Sequence, residues 1–455
     1  MIGNALSRWT LSYFAASLFF LIMGTALMAG GFGYPFHDLR APETLIVVHI
    51  IAIGWLSLLM CGALLQFVPV LVAKPLQWST IGLPALIILL MGLCGLIVGF
   101  GGMSGIADLP LWLLPLAAMF LMFGFALIIG MLSKTLWGAR PLTLPARFVS
   151  VGLVCLSFVT VLGSLFTLLL SGMLKQDFLL EIASSGLPAH AILGLGGWIT
   201  FTAMGVSYRL LTMFMLAPET KKRTTHLVWM TGSIALALVA FAAFFVNSGY
   251  VRFDIAMAIG LVLGVTSIGL YGRDIHSIYS QRKRKSIELN SAASIPAYAA
   301  MLISLPVGIA LVWIGRTDGL IAALVYLFTF GWLTGLSLAQ LYKIVPFLTW
   351  LECYGPLMGK VLTPRVQDIV MEDRAKRWFC VYHAGVIIAV VALIAQHTTL
   401  FRLGSALNLI AILALSSHFV RARRLTDVPE AMKLPNVVAL PNLIYAGKPV
   451  QGRIK

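Results

Sequence analysis

Gly54-Trp55-Leu56-Ser57, Gly197-Trp198-Ile199-Thr200 and Gly331-Trp332-Leu333-Thr334 are three copies of one pattern, each inside a long apolar run. They continue to Val68-Pro69-Val70, Leu211-Thr212-Met213 and Val345-Pro346-Phe347. Eleven places after each tryptophan stands a polar or basic residue: Gln66, Arg209 and Lys343. The tryptophans lie 143 and 134 residues apart. The repeat is therefore roughly 140 residues long, far beyond the roughly 20 to 50 of solenoid arrays. The chain reads as three diverged copies of one membrane unit.

Composition fixes the solvent. Of 455 residues, 60% are hydrophobic and 11% charged, with a mean hydropathy of +0.97. No soluble domain of this size carries such a surface, so the surroundings are lipid. Runs of the ~20 apolar residues needed to cross ~30 Å of hydrocarbon are read at about 11–31, 44–72, 79–101, 110–132, 147–173 and 187–216. A second series follows at about 226–247, 253–272, 294–315, 319–350, 379–400 and 403–420. The expected fold is an all-α polytopic membrane protein, one transmembrane domain over 1–420. Its twelve helices form three pseudo-repeated four-helix arcs (about 1–133, 134–285 and 286–420), followed by a cytoplasmic tail, 421–455. The pattern falls on the second helix of each arc. Arg8 and the Ala26-Leu27-Met28-Ala29 end of the first run raise the question of a signal peptide. That run exceeds the roughly 7 to 15 residues of a signal core, and it is read as a retained helix.

With the N-terminus inside, only Arg40, Lys175, Arg252, Arg316 and Arg402 of the 32 basic residues face outward. The positive-inside rule then places both chain ends in the cytoplasm and the chain in the plasma (inner) membrane. The net charge of +16 is spread over short loops and helix ends, without a basic and aromatic face for nucleic acid. It suits anionic lipid headgroups. Cys61, Cys94, Cys155, Cys353 and Cys380 show neither disulfide nor zinc spacing. The runs Gly99-Phe100-Gly101-Gly102 and Gly194-Leu195-Gly196-Gly197 follow no strand and read as helix-packing surfaces. Residues 365–378 suit a short interfacial helix, and the Pro-rich tail either packs on the inner face, docks a partner or stays partly disordered.

All sixteen carboxylates assign to loops, tails or helix ends, so no acid marks the midplane as a proton-coupled carrier's would. Two histidines stand out. His49 lies six residues before Trp55 and His190 eight before Trp198, at matched outer depth on repeat-related helices; His397 adds a third imidazole at that level. Imidazole ligates haem iron and copper. A hydrogen bond to a neighbouring helix is the plain alternative. Gly194 and Gly197, four and seven residues below His190, leave either a smooth slot or a contact face. His226, His276, His383 and His418 fit an interfacial role, and Arg209 and Lys343 fit snorkelling to phosphates or contact with a quinone.

Twelve helices in three arcs, with His49 on the second span and His190 on the sixth, resemble the catalytic subunit of the haem-copper oxidase and nitric oxide reductase superfamily. The NnrS haem membrane proteins are the next comparison. The resemblance implies that His49 is an axial ligand of a b-type haem and that His190 belongs to a copper or iron site. It departs at span seven, whose only histidine is His226 at the other face, and at span ten, where Tyr326 replaces a histidine. The implied reading is a membrane haem protein without the complete binuclear centre. It would serve electron transfer, gas sensing or respiratory-complex assembly, with a quinone or cytochrome donor and other respiratory subunits as partners; any enzyme activity would be that of an oxidoreductase. A secondary transporter and a cofactor-free structural subunit are the alternatives. A six-plus-six carrier would place its long inner loop after span six, whereas the most basic loop here, Arg273 to Lys285, follows span eight.

Overall fold

The computed structural model describes residues 7–106, 108–174, 186–220, 222–245, 253–315, 317–434 and 440–447. Among these, twelve helices are long and apolar enough to cross a membrane. They are α1 (Thr10–Gly30), α2 (Pro42–Val72), α3 (Ser79–Met103), α4 (Leu113–Trp137), α5 (Leu144–Leu170) and α6 (Gly186–Met215). The rest are α7 (Lys222–Ala242), α8 (Ile255–Ser280), α9 (Leu289–Leu311), α10 (Asp318–Cys353), α11 (Glu372–Ile394) and α12 (Thr398–Arg423). No strand occurs among the described residues. In lipid this is the economical solution, since a helix satisfies its backbone polar groups internally. Lys175, Asp177, Glu181, Arg252, Arg316 and the Pro435-Asn436 pair of the tail fall outside the described residues.

The triple pattern has a backbone counterpart that hydropathy does not reveal. Each copy lies in a π-helical stretch: Ile50–Ser57 in α2, Ile192–Phe201 in α6 and Leu327–Thr334 in α10. Such stretches are rare, so three at one position of the pattern make the three copies locally equivalent in backbone. Trp55, Trp198 and Trp332 are almost wholly buried there, at 0%, 1% and 0% exposure. α2 and α6 also end alike: Ala73 and Leu216, each eighteen residues past its tryptophan, adopt left-handed φ of 52° and 50°. The third copy continues helical to Cys353.

By internal contacts the chain forms two compact units, one of residues 40–60 and 67–286, the other of 1–39, 61–66 and 287–455. In the first, α3 packs on α4, α5 on α6, and α7 on α8. Gly92 and Gly124 let the first of these pairs approach: a Cβ at Gly92 would stand 2.8 Å from the Leu121 backbone nitrogen, and one at Gly124 2.8 Å from Leu89. In the other unit α1 packs on α12, and α11 on α12 through Gly385 and Gly404.

Two boundary expectations are corrected. Residues 365–378 do not form a separate interfacial helix: a 3-10 turn spans Val366–Ile369, and the charged stretch from Glu372 is already the start of α11. α8 runs on to Ser280 rather than ending near 272. Of the alternatives left open for the tail, packing is the one realised over residues 440–447. Arg423, only 3% exposed, donates from Nη1 to Glu352 Oε2 (2.8 Å) and Thr349 Oγ1 (3.1 Å), and from Nε to the Asn442 carbonyl (3.1 Å). Glu352 Oε1 accepts from Gly447 N (2.7 Å), and Ala446 N donates to the Arg8 carbonyl (3.0 Å).

Candidate functional site

His49 and His190 belong to the same compact unit, and the fold brings them together. Trp198 Nε1 donates to Ser57 Oγ at 3.1 Å, joining the π stretches of α6 and α2. His49 stands eight residues before Ser57 and His190 eight before Trp198. That single bond therefore sets both imidazoles about two turns from a common level.

Each ring is oriented. His49 Nδ1 is 2.8 Å from the Leu45 carbonyl one turn earlier, and the ring sits 5.2 Å from the Phe100 ring of α3. A carbonyl bond at Nδ1 fixes that nitrogen as the protonated one and leaves the Nε2 lone pair available, the usual preparation of a ligating imidazole. His190 lies against α5: Phe166 is 5.5 Å away ring to ring, and a Cβ at Gly163 would come within 3.2 Å of His190 Cε1. Its Nδ1 is buried without a hydrogen-bond partner in the protein. A buried polar nitrogen left so costs roughly 1–3 kcal/mol, which a bound group would relieve.

Of the two readings of the glycine face below His190, the contact face is the one realised. A Cβ at Gly197 would lie 2.6 Å from Cys155 Sγ, and at Gly194 Val159 of α5 already stands at contact distance, 3.8 Å. The open volume lies one helix over, where α5, α6 and α7 enclose an apolar crevice of about 700 Å³ lined by Val154, Phe158, Leu236 and Phe241. None of its lining residues is a histidine.

The remaining candidates are dispersed. His397 belongs to the other unit, is exposed, and caps α12 by accepting from Leu400 N at 3.2 Å through Nδ1. His226 and His276 are exposed on α7 and α8, His226 stacking on Trp229 at 5.6 Å. Lys343 does not snorkel: it pairs with Glu288 at 2.6 Å, both side chains largely buried. Arg209 stays exposed near Glu219. Tyr326, which takes His49's place in the third copy, is buried and accepts from Asn408 Nδ2 at 2.8 Å. Among the described residues no group of three or more His, Cys, Asp or Glu side chains is placed to hold a metal ion. The donors a bound group would find on α2 and α6 are two imidazoles, His49 with its Nδ1 already taken and His190 with a buried Nδ1 unpartnered.

The sequence marks His383 only as an inner-half histidine suited to an interfacial role. It lies eleven residues into α11 but only five past Trp378, the last residue of the charged end that extends this helix beyond its apolar run. Its signal was a second-half histidine flanked by apolar Gly385 to Leu393, obscured by the charged residues assigned to a separate helix.

No family profile and no curated protein matches this chain. Solved structures do: 23 chains match, among them one from a cryo-EM structure of a heme-copper terminal oxidase dimer. That chain is 13% identical, with a TM-score of 0.58 over 95% of this chain and 84% of its own length. At such low identity the likeness establishes the fold, a haem-copper oxidase subunit I-like arrangement of twelve membrane helices.

Proposed function

We propose that this chain is a membrane redox protein that binds a b-type haem through His49, with His190 as the second imidazole. The observation that carries the reading is the pair itself: two imidazoles 141 residues apart, held at one level by the Trp198–Ser57 bond. His49 has its Nδ1 already taken, and His190 has a buried nitrogen still unpartnered. The oxidase-like scaffold supports it, because α2 and α6 are the elements on which the family resemblance expects ligands. When bound, such a haem supplies one-electron redox chemistry. The Leu45 carbonyl orients His49, and Phe100 and Phe166 shield the two rings from water.

Two imidazoles do not complete a copper site facing a second haem, which takes about three. The proposed role is accordingly electron transfer or gas sensing in a respiratory membrane, with a quinol or cytochrome as donor, and not turnover of oxygen or nitric oxide. Haem content by pyridine haemochrome should be stoichiometric in the wild type and lost in His49→Ala, while His190→Ala should alter the reduced-minus-oxidised spectrum. Full haem content and an unchanged spectrum in both variants would remove the assignment, and rapid oxygen or nitric oxide consumption by the purified chain would overturn the role. Both chain ends are assigned to the cytoplasm on the distribution of basic residues. Alkaline phosphatase fused at the C-terminus should be inactive.

A further inference from the structure

The third repeat contains a row of buried polar groups that the haem proposal does not use. On α9, Asn290 is 2% exposed, and both its amide nitrogen and its amide oxygen are buried without a partner in the protein. One turn on, Ser294 donates to the Asn290 carbonyl (2.8 Å) and accepts from Gln340 Nε2 of α10 (3.0 Å). Gln340 Oε1 is again unpartnered, as are Tyr342 OH and, on α11, His383 Nε2. The His383 ring lies against Gly335, beside Ala297: a Cβ at Gly335 would come within 3.1 Å of the ring's Cε1 and 3.3 Å of Ala297 Cβ.

These groups are ordered in depth. Asn290 and Tyr342 line a small cavity together with Lys343, Gln367 and Glu372, where the volume open to the centre of a water molecule is about 10 Å³. That is room for one water. Glu372 also accepts from Leu289 N at 3.2 Å, and Lys343 pairs with Glu288, so the mouth is charged. From Asn290 the row climbs through Ser294 and Gln340 to His383 beside Ala297, about 10 Å along α9 at 1.5 Å per residue. Five orphaned atoms in so short a stretch, each costing roughly 1–3 kcal/mol if dry, are far more than a native interior tolerates. Their natural partner is water, which takes two to four bonds from such groups.

We propose that this face of α9, α10 and α11 binds a file of water molecules running from the Glu372–Lys343 mouth to Nε2 of His383, and that protons travel along it. A proton taken up at the Glu372 carboxylate moves between waters bonded to Asn290, Tyr342 and Gln340. It ends on Nε2, turning the neutral imidazole into an imidazolium. The titratable groups facing the path are Glu288, Lys343, Tyr342 and Glu372 at the mouth and His383 at its end; His418 lies behind Tyr342, 6.2 Å ring to ring. An ionisable side chain within a span ordinarily marks a proton or substrate path. The path needs no cofactor, so its test is independent of the haem proposal.

The experiment is deuterium exchange at histidine Cε1, read by mass spectrometry on the full chain in nanodiscs; the exchange requires access of water and protons to the ring. In the wild type, His383 should exchange within about an order of magnitude of exposed His276, a rate expected only of a hydrated site. Gln340→Leu and, separately, Asn290→Leu should slow His383 by an order of magnitude or more and leave His276 unchanged, with an unaltered helical circular dichroism spectrum reporting a folded protein. A wild-type His383 that does not exchange overturns the proposal even if neither variant folds. So does a folded variant in which His383 exchanges as before.

Discussion

The buried pair Arg423–Glu352 should hold the tail in place, and Arg423→Met isolates it, because methionine keeps much of the aliphatic stem while removing the charge. Both residues are nearly inaccessible, at 3% and 7% exposure. Removing the guanidinium leaves Glu352 with its hydrogen bond from Gly447 N and deprives Thr349 Oγ1 and the Asn442 carbonyl of their donors. Breaking a buried pair from one side costs ~3–5 kcal/mol, most of it the penalty of the stranded carboxylate. Arg423→Met/Glu352→Leu removes that carboxylate too, so the double variant should be less damaged than Arg423→Met alone, by a coupling of ~1–3 kcal/mol. The denaturation midpoint reads the energy, and amide exchange at Ala446 and Gly447, whose N–H groups bond Arg8 and Glu352, reads the tail. If Arg423→Met costs less than ~1 kcal/mol, as an exposed bridge would, and leaves those amides protected, the reasoning fails.

Gly197→Ala should destabilise by ~1–3 kcal/mol through overpacking, since the new Cβ meets Cys155 Sγ at 2.6 Å and Cβ at 2.8 Å; Cys155→Gly should restore the midpoint, and no recovery would refute the contact. Trp198→Phe deletes the bond to Ser57, with an expected cost of ~0.5–1.5 kcal/mol for the bond itself and a changed haem spectrum if that bond registers the two histidines. At the surface, hydrogen bonding from Arg365 holds the Asp368 carboxyl below the usual carboxylate range. Its folded pKa is depressed, so the contribution is present above the unfolded value and lost as pH falls through the folded one; amide exchange over residues 366–369 should quicken only at acid pH, and at higher pH in Arg365→Ala.

Much of the fold was legible because membrane spans are written locally. A hydrophobic run of the right length is a helix whatever surrounds it, and all twelve expected runs are helices within a few residues, except where charged ends such as Glu372 to Trp378 extend a helix beyond its apolar core. The triple Gly-Trp pattern likewise marked equivalent helices without any structure. The candidate site was legible only as types and depths: His49 and His190 could be placed at one level, but a sequence does not say which faces turn toward each other.

The sequence by itself determined the solvent, the number of spans and the three copies of the Gly-Trp pattern. Tertiary structure decided that Trp198 reaches Ser57 across 141 residues, that Cys155 fills the glycine face, that Arg423 pins the tail and that His383 lies among unpartnered amides. It also decided that each copy of the pattern is π-helical. The physical reason is range. Hydropathy and helix length depend on neighbours within a turn or two of the chain, whereas which groups meet, and which are left needing water or a ligand, depends on how separate helices pack.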